Sequence, residues 1–218
     1  MKFSDETIGI LKNFSQINPS ILFKEGNTLR TISPTKTVMA SAVVQETFDH
    51  SAGVYDVARF LATLSLFDSP DVEFGDKQFN INGGKSVLKC TYTSENMIVS
   101  PPDKDIQVPS PDAEFTLDWK DLEKVIKAAG VLQLPEISFV SDGESVSLAA
   151  VDSKNPTADT YSHVVVEDKT FAEFRMSIKV ENLKLLPSNY DVALSSKGMA
   201  HFKGEKVQYW VAVETPKK

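Results

Sequence analysis

The chain tells its story twice. Pro19 closes one helical stretch and is followed by Ser20-Ile21-Leu22-Phe23; Pro135 closes another and is followed by Glu136-Ile137-Ser138-Phe139. The turn residues Glu25-Gly26-Asn27 answer to Asp142-Gly143-Glu144, and Gly83-Gly84-Lys85 to Lys203-Gly204-Glu205. The offset stays at roughly 116 to 120 residues throughout, which is the mark of an internal repeat. A repeat of this length constrains the fold strongly, because each half has to build and close a core of its own.

Periodicity assigns the elements within each half. Residues 4–18 read as a helix, with Ile10, Phe14 and Ile17 as an apolar stripe, Thr7 and Leu11 beside it, and Lys12 and Gln16 opposite. Residues 55–67 read as a second helix, with Val57, Phe60, Leu61 and Leu64 inward and Arg59 outward. Asp118 is a natural N-cap for a third, residues 119–132, with Trp119, Leu122, Val125, Ile126 and Ala129 on one face. Residues 177–186 read as a short fourth helix stopped by Pro187. Alternation predicts strands between them, with hairpins at both Glu25-Gly26-Asn27 and Asp142-Gly143-Glu144 and a strand over 170–176. A further strand is expected over 95–100. The order helix, hairpin, extended pair, helix, meander gives an α+β fold of two similar domains, with helices on one face of antiparallel sheets.

The boundary lies in SPPDKDIQVPSPDAE, residues 100–114, where four prolines and four acids describe an extended connector. The expected division is a domain over 1–100, a connector over 101–113 and a domain over 114–218. Ile106 and Val108 are apolar in this otherwise solvated segment, so they need cover, either the domain's own surface or an incoming peptide.

Charge is sorted unevenly. The chain carries 23 basic and 30 acidic side chains, a net −7, which argues against nucleic acid unless the positive groups are gathered on one surface. Lys120, Lys124 and Lys127 recur at i, i+4 and i+7 along one helix face. Lys12 and Arg59 stand on the polar faces of the first two helices, and Lys179 and Lys184 on the fourth. The acids cluster in strands and loops, at Asp68, Asp71, Glu73, Asp76, Glu167 and Asp168. A single helix of this kind fits a solvated face; the same direction of charge on all four fits sequence-independent contact with phosphates.

Catalytic chemistry is not expected. His50, His163 and His201 are far apart and lack metal-ligand spacing with Cys90 or a carboxylate. Gly83-Gly84-Lys85 lacks the length and following helix of a phosphate loop, and Cys90 reads as a small core residue in mid-strand. No cofactor or metal is implied, and no run is apolar enough to span a membrane. The opening residues, with acids where a signal peptide needs an apolar core, carry no export signal.

The opening MKFSDETIGILKNFSQINPSIL, the helix YDVARFLATLSLF and the segment VENLKLLPSNYDV resemble the sliding clamps of T-even-type bacteriophages, which are DNA polymerase processivity factors. The resemblance implies a homotrimeric ring whose helices line a hole for duplex DNA and whose sheets form the outer wall. It implies a non-enzymatic tether with three kinds of partner: the DNA polymerase, an ATP-dependent clamp loader, and RNA polymerase-associated factors of late transcription. The place of action would be the cytoplasm of the infected bacterium. Lys12, Arg59, Lys120, Lys124, Lys127, Lys179 and Lys184 would face DNA. Ile106 and Val108 would dock a partner tail. Met97 and Val99 of one subunit would meet Tyr161 and Val164 of the next, through strand pairing of 95–99 with 160–166. The alternative is an interaction module that forms no ring and does not encircle DNA.

Overall fold

The computed structural model describes residues 1–167 and 171–214 and divides into two compact units, Met1–Asp103 and Lys104–Lys218. Asp168 and Thr170, which enter the readings above, lie outside the described residues.

Unit 1 opens with α1 (Asp5–Ile17). The first amides of a helix have no partner within it. Ser4 supplies one, its hydroxyl accepting from the Thr7 amide at 3.2 Å. Glu46 completes the cap from 39 residues away, accepting from the Thr7 hydroxyl at 2.5 Å and from the Ser4 amide at 2.6 Å. Ile10, Leu11, Phe14 and Ile17 are buried and Lys12 and Gln16 exposed, as a 3.6-residue period requires. At the far end the buried Asn18 donates to the Ile32 and Val99 carbonyls and accepts from Ser20, so one side chain ties the helix end to three other segments.

Five strands and a helix follow: β1 (Ile21–Phe23), β2 (Gly26–Ile32), β3 (Val38–Phe48), β4 (Ala52–Val54), α2 (Val57–Leu64) and β5 (Asp71–Phe74). The unit closes with β6 (Gln78–Gly83) and β7 (Ser86–Thr91). The hairpin expected at Glu25-Gly26-Asn27 is absent: β1 pairs with β4 and β2 with β3. Gly26 adopts φ +105° beside a register shift in β2, so its sequence marks a bulge within a strand and not a turn between partners. On β4, Gly53 lets the backbone of Thr93 come close, the Thr93 amide donating to the Gly53 carbonyl at 2.9 Å. A Cβ there would stand 2.3 Å from the Thr93 carbonyl oxygen. The second helix is shorter than expected and is capped by Asp56, which accepts from the Arg59 amide at 2.8 Å. The strand expected over 95–100 is a 3-10 turn, Glu95–Met97, which tucks Ile98 into the core. Phe23 stacks on Phe48 at 4.7 Å, and Phe60 and Phe74 meet Phe23 edge-on. β5, β6 and β7 form one antiparallel sheet with β7 outermost.

Unit 2 begins with β8 (Ala113–Leu117) and α3 (Trp119–Leu132). Asp118 caps α3, accepting from the Lys120 amide at 2.7 Å. Gln133, at φ 54°, ends it in the left-handed conformation, and Leu134 donates back to Ala129 at 2.8 Å. Then come β9 (Glu136–Ser141), β10 (Val146–Val151), β11 (Tyr161–Val166) and β12 (Phe174–Lys179). Last are β13 (Tyr190–Ser195), β14 (Met199–Lys203) and β15 (Val207–Ala212). Here the turn at Asp142-Gly143-Glu144 does join antiparallel partners, β9 and β10. One sheet runs β11-β10-β9-β12, with α3 packed over β9, β10 and β11; β8-β13-β14-β15 forms a second run.

The fourth helix does not exist. Residues 177–179 finish β12, and Val180–Asn182 makes a single 3-10 turn. Met176 and Ile178 are buried while Arg175 and Lys179 are exposed, a period of two that extends the strand into the region read as helical. Unit 1 therefore has two α-helices and unit 2 one, among the described residues.

Candidate nucleic-acid interface and assembly edges

On α3, Lys120, Lys124 and Lys127 are all exposed and lie along one side of the helix. They are not alone. Asp121 accepts from Lys124 at 2.9 Å, and Glu123 pairs with Lys127 at 3.0 Å. With Asp118 at the cap, three lysines stand against three carboxylates. The helix is thus neutral in sum and polarised by side. Asp121 also holds His163 of β11 at 2.9 Å, which draws the negative charge toward the sheet. The hydrogen bond from Lys124, then that from His163, pulls the Asp121 carboxyl below its ordinary range, and Lys124 is pushed up by the same bond. Pairs this exposed are screened by solvent and salt and hold the lysines only weakly.

In unit 1, Lys12 is exposed on α1 and Arg59 on α2, and these helices pack on each other. Arg59 lies beside a groove of about 480 Å³ whose other walls include Tyr55, Phe60 and Leu66 of the α2 region and Leu88 and Cys90 of β7. Cys90 is half-buried at this groove and is not a core residue, because an outermost strand leaves one flank uncovered. Lys179 and Lys184 are not on a helix. Lys179 ends β12 within 3.9 Å of Glu181 and 3.8 Å of Glu214, and Lys184 is half-buried beyond the 3-10 turn. The basic residues thus fall into groups on α1 with α2, on α3, and around the end of β12.

In the sheets β5-β6-β7 and β11-β10-β9-β12, one outermost strand of each is fastened on its outer side. Val72 of β5 donates to the Met1 carbonyl, and Ser177 of β12 bridges to Glu214. The opposite edges, β7 in unit 1 and β11 in unit 2, end their sheets. On β11, Val164 is 44% exposed and Tyr161 half-buried. Met97 and Val99 are exposed as well, but Met97 ends a 3-10 turn and Val99 follows it, and neither lies in a strand. On β7, Val87 is 59% exposed. Sequence reasoning passed over β7 as an edge because strand order, and not alternation, decides which strand is outermost. The signal that could have found it is Ser86-Val87-Leu88-Lys89, with polar and charged groups close to an apolar pair in the last strand before the connector.

The connector is fastened to unit 2. The Trp210 indole donates to the Ile106 carbonyl at 2.6 Å, and Gln208 donates to Asp105 at 2.8 Å. The Ser195 hydroxyl donates to the Pro109 carbonyl at 2.6 Å, and Asp112 exchanges bonds with Leu194 and Ser196. Ile106 and Val108 are half-buried. Among the described residues, no three His, Cys, Asp or Glu side chains are grouped to hold a metal, and no helix is long and apolar enough to cross a membrane.

Two α+β units of antiparallel sheet, each with an outermost edge strand, have the architecture of the sliding-clamp class. The whole chain superposes on the PCNA of A. fulgidus, solved with the C-terminal region of FEN-1, with a TM-score of 0.74 at 16% identity, covering 100% of this chain and 98% of that one. The DNA polymerase III beta chain of Streptococcus pneumoniae gives a TM-score of 0.72 at 14% identity, over 99% of this chain and 64% of that one. Within the class the sequence is more specific. Residues 4–98 match the family described as DNA polymerase processivity factor, and residues 114–215 that described as gp45 sliding clamp, C terminal. The sliding clamp of Vibrio phage KVP40 is 30% identical over 98% of this chain and 99% of its own. That of Enterobacteria phage T4 is 30% identical over 98% of this chain and 97% of its own. The chain belongs to the phage sliding-clamp family of DNA polymerase processivity factors.

Proposed function

We propose that three copies of this chain close head to tail into a ring around duplex DNA and hold the replicative polymerase at the primer end, without catalysing a reaction. The observation that carries the assembly is that each unit has an outermost antiparallel strand whose sheet is fastened at its other end, β7 in unit 1 and β11 in unit 2. Different edges on the two units make a heterologous contact, which has to close into a ring if it is not to run on as a fibre. The join is therefore assigned to β7 and β11, replacing the turn at 95–99. Lys12, Arg59, Lys120, Lys124 and Lys127 would face the DNA and bind phosphates loosely, as a sliding contact demands. Lys179 and Lys184, off any helix, would be peripheral to that surface.

A closed ring needs a machine to open it, so an ATP-dependent loader is part of the proposal, as are factors of late transcription that would use the loaded ring. The place of action would be the cytoplasm of an infected bacterium. The test is topological. Native mass should give a trimer, and rings loaded by the cognate loader should stay on nicked circular DNA and run off after it is cut to a linear form. A chain that stays monomeric at high concentration, or leaves circles and linear DNA equally fast, would overturn the ring.

A further inference from the structure

Trp210 is only 3% exposed although it lies on the side of β15 away from the core. Its neighbours Tyr209 and Val211 point inward and are fully buried by the sheet's own packing. Trp210 is covered by two other things. Along one side lies the connector, whose Ile106 carbonyl accepts from the indole N–H. Across the ladder lies His201, its direct partner on β14, with the two rings stacked at 4.7 Å and 13°. The imidazole Nε2 meets the Gln208 side-chain oxygen at 3.0 Å, and the same Gln208 amide donates onward to Asp105. Asp105, Gln208, His201, Trp210 and Ile106 thus form a closed chain of contacts running from strap to sheet and back to strap.

We propose that residues 105–110 form a releasable strap and that the His201–Trp210 stack is its latch, opened when the imidazole takes up a proton. The charged groups around the ring decide the direction. Lys203 on the same strand repels an imidazolium, and Asp105 attracts one but only from beyond Gln208. Asp191 and Glu114 line the same shallow face from β13 and β8. Among the described residues, the side-chain partner of the imidazole Nε2 is the Gln208 amide oxygen and not a carboxylate. Burial is the largest influence and holds the His201 pKa below its ordinary 6.5, outweighing the Gln208 bond and Asp105. The neutral ring is the one the closed strap favours. That preference is complete above 6.5 and is lost as pH falls below it. An imidazolium regains water by leaving the stack, Gln208 then loses its orientation toward Asp105, and the strap keeps only its attachments near Ser195.

The chain has two tryptophans, so Trp119→Phe leaves Trp210 as the reporter. In that variant, Trp210 emission should shift to the red as pH falls below about 6.5. Amide exchange of 105–110, corrected for intrinsic rates, should accelerate by up to about tenfold per pH unit, the limit for one proton. Far-UV circular dichroism should not change. Adding His201→Gln should make both signals flat. A pH response as large with glutamine at 201, or none with histidine there, overturns the latch. Should the glutamine variant fail to fold, the His201 ring resonances in the Trp119→Phe protein decide it. They should titrate at the midpoint of strap exchange, and separate midpoints would refute the coupling.

Discussion

Glu46 shows how much one side chain can organise. It is buried on β3, yet it serves the first turn of α1. Burial pushes its carboxyl up; the Thr7 hydroxyl and the Ser4 amide pull it down by more, so its pKa lies below 4.5. A lowered carboxyl contributes stability that is present above the unfolded value and fades as pH falls through the folded one. Glu46→Gln should therefore cost about 1–3 kcal/mol at pH 7, because an amide cannot accept from both donors with the same strength. The gap between wild type and variant in urea midpoint should narrow below pH 4.5; a constant gap would mean that the charge is not what matters. The lysines of α3 belong to the same scale. Replacing Lys120, Lys124 and Lys127 with alanine should weaken loading on DNA and flatten the log–log salt dependence by up to about 0.9 for each phosphate no longer neutralised. Trimer mass should be unaffected. Loading equal to wild type at every salt concentration would remove this face from the interface.

At the scale of elements, pairing partners decide what each segment can do. β11 is open along one edge and is held to α3 through the His163–Asp121 bond. Val164→Pro removes a backbone donor and a strand-compatible φ. It should convert trimers into monomers at micromolar concentration while leaving α3 helical, as read by native mass and circular dichroism together. Trimers that survive the substitution would refute β11 as an assembly edge. Helices α1 and α3 are legible residue by residue, since cap and apolar stripe are local facts. The fourth helix is not. Residues 174–179 alternate inward and outward, but Val180 and Leu183, three apart, fit a helical spacing equally well. The two Gly turns look alike in sequence, yet only the second joins partner strands, because β4 competes successfully for β1.

At the scale of the molecule, the connector is an extended segment bonded along much of its length to unit 2. Pro101, Pro102, Pro109 and Pro111 keep it extended, which lowers the ordering cost for a peptide laid beside it. If a polymerase tail docks there, Ile106→Ala with Val108→Ala should weaken binding of a labelled polymerase C-terminal peptide without loss of DNA encirclement. Equal affinity in fully trimeric protein would move the docking site off the connector and onto the subunit boundary. Both residues belong to the strap and are half-buried, so part of their role is to hold the strap down.

What the sequence determined by itself is the two-domain plan, the caps and stripes of α1 and α3, and the kind of family those segments resemble. Each depends on neighbours within a few turns of chain, and local spacing is enough to specify it. Tertiary structure alone decided which strands pair, which edges stay open, that Gly53 allows a backbone approach no side chain would permit, and that Glu46 caps a helix 39 residues before it. It also decided that Trp210 is buried by a strap. Those outcomes depend on contacts between segments far apart in the chain, and each segment's periodicity is compatible with several partners until packing selects one.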